Sequence, residues 1–344
     1  MATQKSYKKI RYFAVFAVLI IVFAVALFLN VRIGNVSVST KQIADIIFNR
    51  NTQEMTSYSI IWKIRLPRLL LAALLGGALS LSGFLLQTFF RNPIAGPFVL
   101  GISSGAKMFL AICTIAFSSS VSAVPVSVTV FSAFVGSVLS MLVVLLFSAK
   151  TKNMSVLLVV GIMISYLCSA ITDFLINFAN EADIVNLTHW SHGSFSAASW
   201  SDVSFSAAVV LPTALLVFLI SKPISAYSMG EGYAQSLGVN TKLFRTLLIL
   251  LSGVLSACVV AFAGPISFVG ISVPHICRTM LKTSKPIIMI PACFICGASL
   301  CMLCDLVART VFSPVELSIS TVTAAIGAPI VIWLMVSRRA KRES

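Results

Sequence analysis

The sequence predicts an all-α polytopic membrane protein of about ten transmembrane helices, and three observations carry that reading. The chain of 344 residues is 58% hydrophobic and only 10% charged, with a mean hydropathy of +1.01. A soluble core of this length does not need so much apolar surface. The apolar residues fall in blocks of about 17–25, the length a helix needs to cross a bilayer. No alternating strand pattern is visible, so the spans are expected to be helices and not a barrel. Residues 1–344 read as a single transmembrane domain.

The blocks run in order at 12–29, 67–89, 97–117, 121–147, 154–178, 203–221, 243–263, 265–281, 286–308 and 317–336. The first follows Lys5, Lys8, Lys9 and Arg11, as the apolar stretch of a signal peptide would. It is long, and no clear small-x-small site follows Leu29, so it is expected to stay as an uncleaved first helix. The eighth block is short and broken by Pro274.

Charge sets the expected orientation. With the N-terminus in the cytoplasm and ten crossings, 17 of the 25 Lys and Arg residues fall inside, and the C-terminus lies inside too. Outside are Arg32, Lys41, Arg50, Lys63, Arg65, Arg68 and Arg309, and Lys107 is left at membrane depth. This satisfies the positive-inside rule. The net charge of +15 is therefore read as topology and not as nucleic-acid binding. Cations outside oppose the rule, so another pressure is expected to keep them there.

Cys293, Cys296, Cys301 and Cys304 spell CFICGASLCMLC, a spacing that would suggest metal in a soluble chain. Here all four lie in one apolar block, on a helical face about 140° wide and about 16 Å long. Four ligands on one straight helix cannot converge on a tetrahedral ion. With Gly297 and Ala298 beside them, these small residues suit close helix packing, and no metal site is expected. No GxxxxGK[ST] string is present; GISSGAKM at 101–108 lacks its spacing and its hydroxyl. No acid pair, nucleophile triad or HExxH occurs either, so an enzyme is not expected.

The string AGPFVLGIS at 95–103 is echoed by AGPISFVGIS at 263–272. One follows a helix running outside to inside, the other a helix running inside to outside. Echoed Gly/Pro breaks in opposed orientation suggest an inverted repeat. Chance similarity among common membrane residues is the alternative.

Segment 65–106, RLPRLLLAALLGGALSLSGFLLQTFFRNPIAGPFVLGISSGA, resembles the FecCD family of ABC importer permeases, which includes iron–siderophore, haem and vitamin B12 permeases. Matches follow in order at GEGYAQSLGV (230–239), FVGISVPHICR (268–278), DLVAR (305–309) and STVTAAIGAPIVIWL (320–334). The resemblance covers nearly the whole chain and implies a vitamin B12 permease-like fold of ten helices. It further implies pairing with a second permease subunit, expected as a homodimer. Two ATPase subunits would dock on the inner face, carrying ATP and Mg, and a substrate-binding protein on the outer face. No cofactor is expected in this chain.

Site residues follow from the resemblance, and the local sequence agrees. YSMGEGYAQSLG at 227–238 falls where the family has two short helices that press into the ATPase, so Gly230, Glu231, Ala234, Leu237 and Gly238 are the coupling candidates. Gly230, Gly232 and Gly238 permit sharp turns, and Glu231 suits a helix start. The plain alternative is a surface loop. Arg65, Arg68 and Arg309 occupy the RxPR and DxxAR positions that pair with glutamates of the binding protein in the family. Snorkelling, or an i,i+4 bridge from Arg309 to Asp305, is their structural alternative.

Four residues are pathway candidates. Lys107 is read either as snorkelling inward or as facing the cavity, and Asp173 as facing a water-filled path or a neighbouring helix. His189 and His192 fall where the family has a gating helix, and are otherwise surface. Asn92, Pro93, Pro97, Pro265, Pro274 and His275 belong to the family's motifs, His275 with a packing role. The reading is a permease subunit of a binding-protein-dependent importer in the bacterial cytoplasmic membrane, with ferric siderophore as the expected cargo. Haem and cobalamin are alternatives, and an ion-coupled secondary transporter is the rival of another class.

Overall fold

The structure is a computed structural model that describes residues 2–343 apart from 35, 37, 50–54, 119–124 and 152. Fifteen α-helices occur among the described residues, in the order α1 (Ala2–Arg32), α2 (Thr40–Asn49), α3 (Met55–Ser59), α4 (Leu66–Phe90), α5 (Ile102–Ser118), α6 (Val126–Lys150), α7 (Met154–Ile176), α8 (Glu181–His192), α9 (Trp200–Leu219), α10 (Ser221–Met229), α11 (Glu231–Ser236), α12 (Thr241–Ala263), α13 (Val269–Leu281), α14 (Pro286–Thr310) and α15 (Ile319–Glu343). A π-helical turn, Ile60–Arg65, joins α3 to α4, and a 3-10 turn, Pro97–Leu100, precedes α5.

Each of the ten predicted blocks carries a helix, and the helices differ in length. Among the described residues, seven helices are long and apolar enough to span a bilayer, and Ile102–Phe117 and Ile319–Trp333 are shorter apolar segments. The tenth, α13, has 13 residues, about 20 Å at 1.5 Å each, against a hydrocarbon core of about 30 Å. The cause lies in the echoed AGP strings. Gly101 (φ 72°) closes the 3-10 turn before α5, and Gly264 (φ 71°) and Phe268 (φ 64°) hold residues 264–268 out of helix before α13. Those residues spend chain length without helical rise.

The echoed breaks also meet. A Cβ on Gly270 would lie 2.9 Å from Cδ of Pro97, and one on Gly96 would lie 2.9 Å from Cγ1 of Ile271. Carbonyls freed there find side-chain or loop donors: the Ser194 N–H donates to Ala263 O at 2.9 Å, the Ser320 hydroxyl to Pro265 O, and Gln87 Nε2 to Gly270 O, which Pro274 leaves without a helical donor, at 3.4 Å. Non-helical backbone at membrane depth is tolerable only when protein or water satisfies it.

Helix α4 is the centre of the bundle. Its apolar window is 89% buried, against 11% for the first helix and 17% for α7. It packs on α14, α12, α13 and α9. Small residues permit this, because lipid offers no hydrophobic drive between helices and close contact must do the work. Gly76 of α4 and Gly297 of α14 face each other so closely that a Cβ on either would strike the other's carbonyl oxygen. Hydroxyls add to the contact: Ser82 Oγ lies 2.9 Å from Ser252 Oγ and 2.6 Å from Ser256 Oγ of α12.

The cysteine stripe lies on α14 as expected from its period, with Cys293, Cys301 and Cys304 buried and Cys296 partly so. Cys277 of α13, which sequence spacing did not connect to the stripe, is buried in the same core as Cys293, Cys301 and Cys304.

Candidate functional site

The two ends of α4 carry the two groups of candidate residues, about 37 Å apart at 1.5 Å per residue over 25 residues. At its start, the π turn adds backbone that rolls Arg65 inward. The Arg65 guanidinium donates to the carbonyls of Val31 (2.7 Å), Arg32 (3.2 Å) and Val36. The first of these oxygens belong to the last turn of α1, which lacks intrahelical partners. Arg65 therefore caps α1 with a cation, which also suits the helix dipole.

Arg68, two residues into α4 behind Pro67, uses both forked edges of its guanidinium. Nε and Nη2 hold Asp305 of α14 at 2.9–3.1 Å, and Nη1 and Nη2 hold Glu316 at 3.1–3.2 Å. Arg309 completes the cluster. Its Nη2 donates to Asn30 O (2.8 Å) and Asn30 Oδ1 (3.1 Å), and its Nε lies 3.8 Å from Asp305 Oδ2. Asp305 is 2% exposed and sits between the two arginines, whereas the Glu316 side chain is 38% exposed. A cavity of about 200 Å³ opens beside them, lined by Gly34, Ile64, Arg65, Arg68, Arg309 and Glu316 among others.

The structure thus brings the three arginines together, as the sequence expects, but buries them at 5%, 8% and 8% exposure. The i,i+4 bridge from Arg309 to Asp305 is present, and Arg68 joins it. Glu316 was not singled out in the sequence. The chain holds only ten acids, so an acid close in sequence to an unexplained arginine cluster was the available signal.

The coupling candidates form the opposite end. Arg91 closes α4 in the left-handed region (φ 50°); its Nη2 lies 3.5 Å from Tyr227 O of α10, and its guanidinium stands 5.6 Å over the Tyr227 ring. α10 breaks at Gly230 (φ 144°), and α11 follows. α11 ends in a Schellman motif: Val239 N–H donates to Ala234 O (3.0 Å) and Gly238 N–H to Gln235 O (2.9 Å), with Gly238 at φ 81°. That motif puts a left-handed residue at the turn, which glycine adopts without strain. The segment reads as a helix pair and not as an open loop.

Its faces differ. Met229, Tyr233 and Leu237 are exposed at 71%, 50% and 59%. Glu231 is half-buried. Ala234 and Tyr227 are fully buried. Ala234, expected at the partner-facing surface, instead packs the pair onto the bundle. The Tyr227 ring lies 5.6 Å from that of Phe244 in α12, and burial pushes its phenol above the ordinary tyrosine range.

The pathway candidates stay apart. Lys107 is half-buried on α5 and makes no hydrogen bond or ion pair with another described residue. Asp173 is exposed near the end of α7, on a strip with Tyr166, Leu167, Phe174 and Phe178. His189 and His192 are exposed on α8. His275 is buried in α13 beside Pro274, and its carbonyl accepts from Thr279 Oγ1 at 3.0 Å. Asn92 and Pro93 form the turn after α4, where Asn92 Oδ1 accepts from the Ile94 N–H at 3.1 Å.

Known proteins share this architecture. Over 281 residues the chain is 36% identical to the vitamin B12 import system permease protein BtuC of Klebsiella pneumoniae, covering 82% of this chain and 83% of that one. It is 34% identical over 279 residues to the BtuC of Escherichia coli O9:H4, covering 81% and 84%. A solved structure described as an inward-facing conformation of a metal-chelate type ABC transporter superposes with a TM-score of 0.83 at 30% identity, over 94% of this chain and 99% of that one. The PsaBC structure from Streptococcus pneumoniae, at 14% identity and a TM-score of 0.53, shares the fold alone. The sequence model of the FecCD transport family matches residues 19–337. On that match, and on the helical bundle packed around α4, this chain belongs to the FecCD transport family.

Proposed function

We propose that this chain is the membrane-spanning permease subunit of a binding-protein-dependent ABC importer for a bulky metal chelate. The observation that carries the reading is the shape of the α10–α11 end. A short helix pair, anchored through Tyr227 and Ala234, presents Tyr233 and Leu237 outward where a separate ATPase would press. That ATPase would bind ATP and Mg, two copies serving a pair of permeases. The arginine cluster at the other end would meet the binding protein, which places that end outside and both termini inside. The exposed apolar strip of α7, with a carboxylate on it, supports a second permease copy and a pathway beside it, since a carboxylate facing hydrocarbon is costly. Lys107, Asp173, His189 and His192 are the side chains for that pathway.

Two cargoes fit. Ferric siderophore is the expectation from the family's range, and cobalamin is the cargo named for the relatives at 34–36% identity. The test is uptake in proteoliposomes holding this chain, its ATPase and its binding protein, offered labelled ferric siderophore, haem and cobalamin. Uptake of one label that needs both the binding protein and ATP on the ATPase side is the expected result. Uptake driven by a proton gradient without either partner overturns the reading.

A further inference from the structure

We infer that Glu316 is an exchangeable occupant of Arg68, holding the place that a carboxylate of the docking partner takes. This rests on the docking role proposed above for the arginine end, and it gives that surface a built-in competitor.

A guanidinium offers two forked edges to carboxylates. Arg68 has filled both: Nε/Nη2 with Asp305 and Nη1/Nη2 with Glu316. A third carboxylate finds no fork unless one occupant leaves. Asp305 cannot be the one, being 2% exposed and also held by Arg309. Glu316 can. Its side chain is 38% exposed, and it stands in the connection between α14 and α15. Val311, Phe312 and Val315 of that connection are exposed at 58%, 60% and 65%, so Glu316 stands in an exposed, largely apolar stretch. The Leu317 N–H donates to Ala308 O at 2.8 Å, so the connection is tied down just beyond Glu316.

The exchange keeps the charge count constant. One carboxylate leaves the guanidinium as another arrives, so the buried cation is never left alone, the situation that makes breaking a buried pair so unfavourable. The consequence is selectivity more than affinity. A partner that brings no carboxylate to this place leaves the Arg68–Glu316 pair intact and gains nothing from the cation.

The experiment uses the binding protein that supports uptake in the reconstitution above, titrated against the permease in nanodiscs. Wild type is compared with E316Q, R68K and the double variant, each checked for folding by its melting curve. Glu316→Gln removes the competing charge from an exposed connection, and the affinity is expected to rise about two- to fivefold, the range for a half-exposed ion pair. Arg68→Lys keeps the charge and gives up a fork, so affinity falls and the gain from E316Q disappears in the double variant. If R68K weakens binding while E316Q leaves it unchanged or weaker, docking at Arg68 stands and the exchange is refuted. If neither R68K nor an R68Q control changes affinity, the docking role falls, and the exchange with it.

Discussion

Asp305→Asn tests the physical account of the arginine end most sharply. The carboxylate is 2% exposed and lies between Arg68, at 2.9 Å, and Arg309, at 3.8 Å. Asparagine keeps the shape and one acceptor but leaves two buried cations facing Glu316 alone. Removing one partner of a buried ion pair costs about 3–5 kcal/mol. Over 344 residues, with an unfolding entropy of about 2.1 cal/mol/K per residue, that is a fall of about 4–7 °C in melting temperature. Glu316→Gln removes the half-exposed partner, worth about 0.2–1 kcal/mol after solvent screening, and its midpoint is expected to stay within about 2 °C. The assay is built into the chain. Six of its eight cysteines are buried, so a thiol-reactive dye reports unfolding of detergent-purified protein. Equal midpoints for D305N and wild type, or an E316Q fall as large as that of D305N, would refute the argument that burial sets the cost at this cluster.

Two further outcomes are expected. Leu237→Asp puts a charge on an exposed position of the α11 end and should abolish stimulated ATP hydrolysis in the reconstituted complex while leaving the melting curve unchanged. Ala234→Asp buries the charge instead and should lower the midpoint in the permease alone; equal behaviour of the two would contradict the burial pattern. Gly297→Leu places a branched side chain against the Gly76 carbonyl and Ser80, so folded protein should be lost. Gly232→Ala, which meets nothing within 4 Å, should leave the yield near wild type.

Much of this was legible in the sequence because lipid imposes a simple code. Length and hydropathy located all ten helix-bearing blocks, since a spanning helix must satisfy its own backbone over a fixed thickness. The AGP echoes correctly marked breaks. What hydropathy cannot register is how many residues a break withdraws from helix, so the block read at 265–281 carries a helix of only 13 residues. The α10–α11 helix pair was legible through Gly230 and Gly238, whose backbone needs are local. Ala234 was misplaced on it because alanine is equally at home on either face of a short helix, and only tertiary packing decides. The arginines were legible as a group, because they defy the charge rule. Their partners were less so: Asp305 was legible only as the i,i+4 neighbour of Arg309, Asn30 and Glu316 lie outside the motifs, and the carbonyls that hold Arg65 carry no sequence signal at all.

The pairing of Arg68 with Asp305 also has a history in time. The two residues are 237 positions apart. At a synthesis rate of about 5–20 residues per second, roughly 12 to 47 s pass between the appearance of the cation and that of its buried counter-charge. Over the same wait, Gly76, Ser80 and Ser82 of α4 lack α12 and α14, both of which are made later. The helix that ends at the centre of the bundle therefore begins without its two largest packing partners and with the Arg68 guanidinium lacking its buried carboxylate. During that interval the nascent half-protein needs water at the headgroups, or another protein's carboxylate, to shelter Arg68.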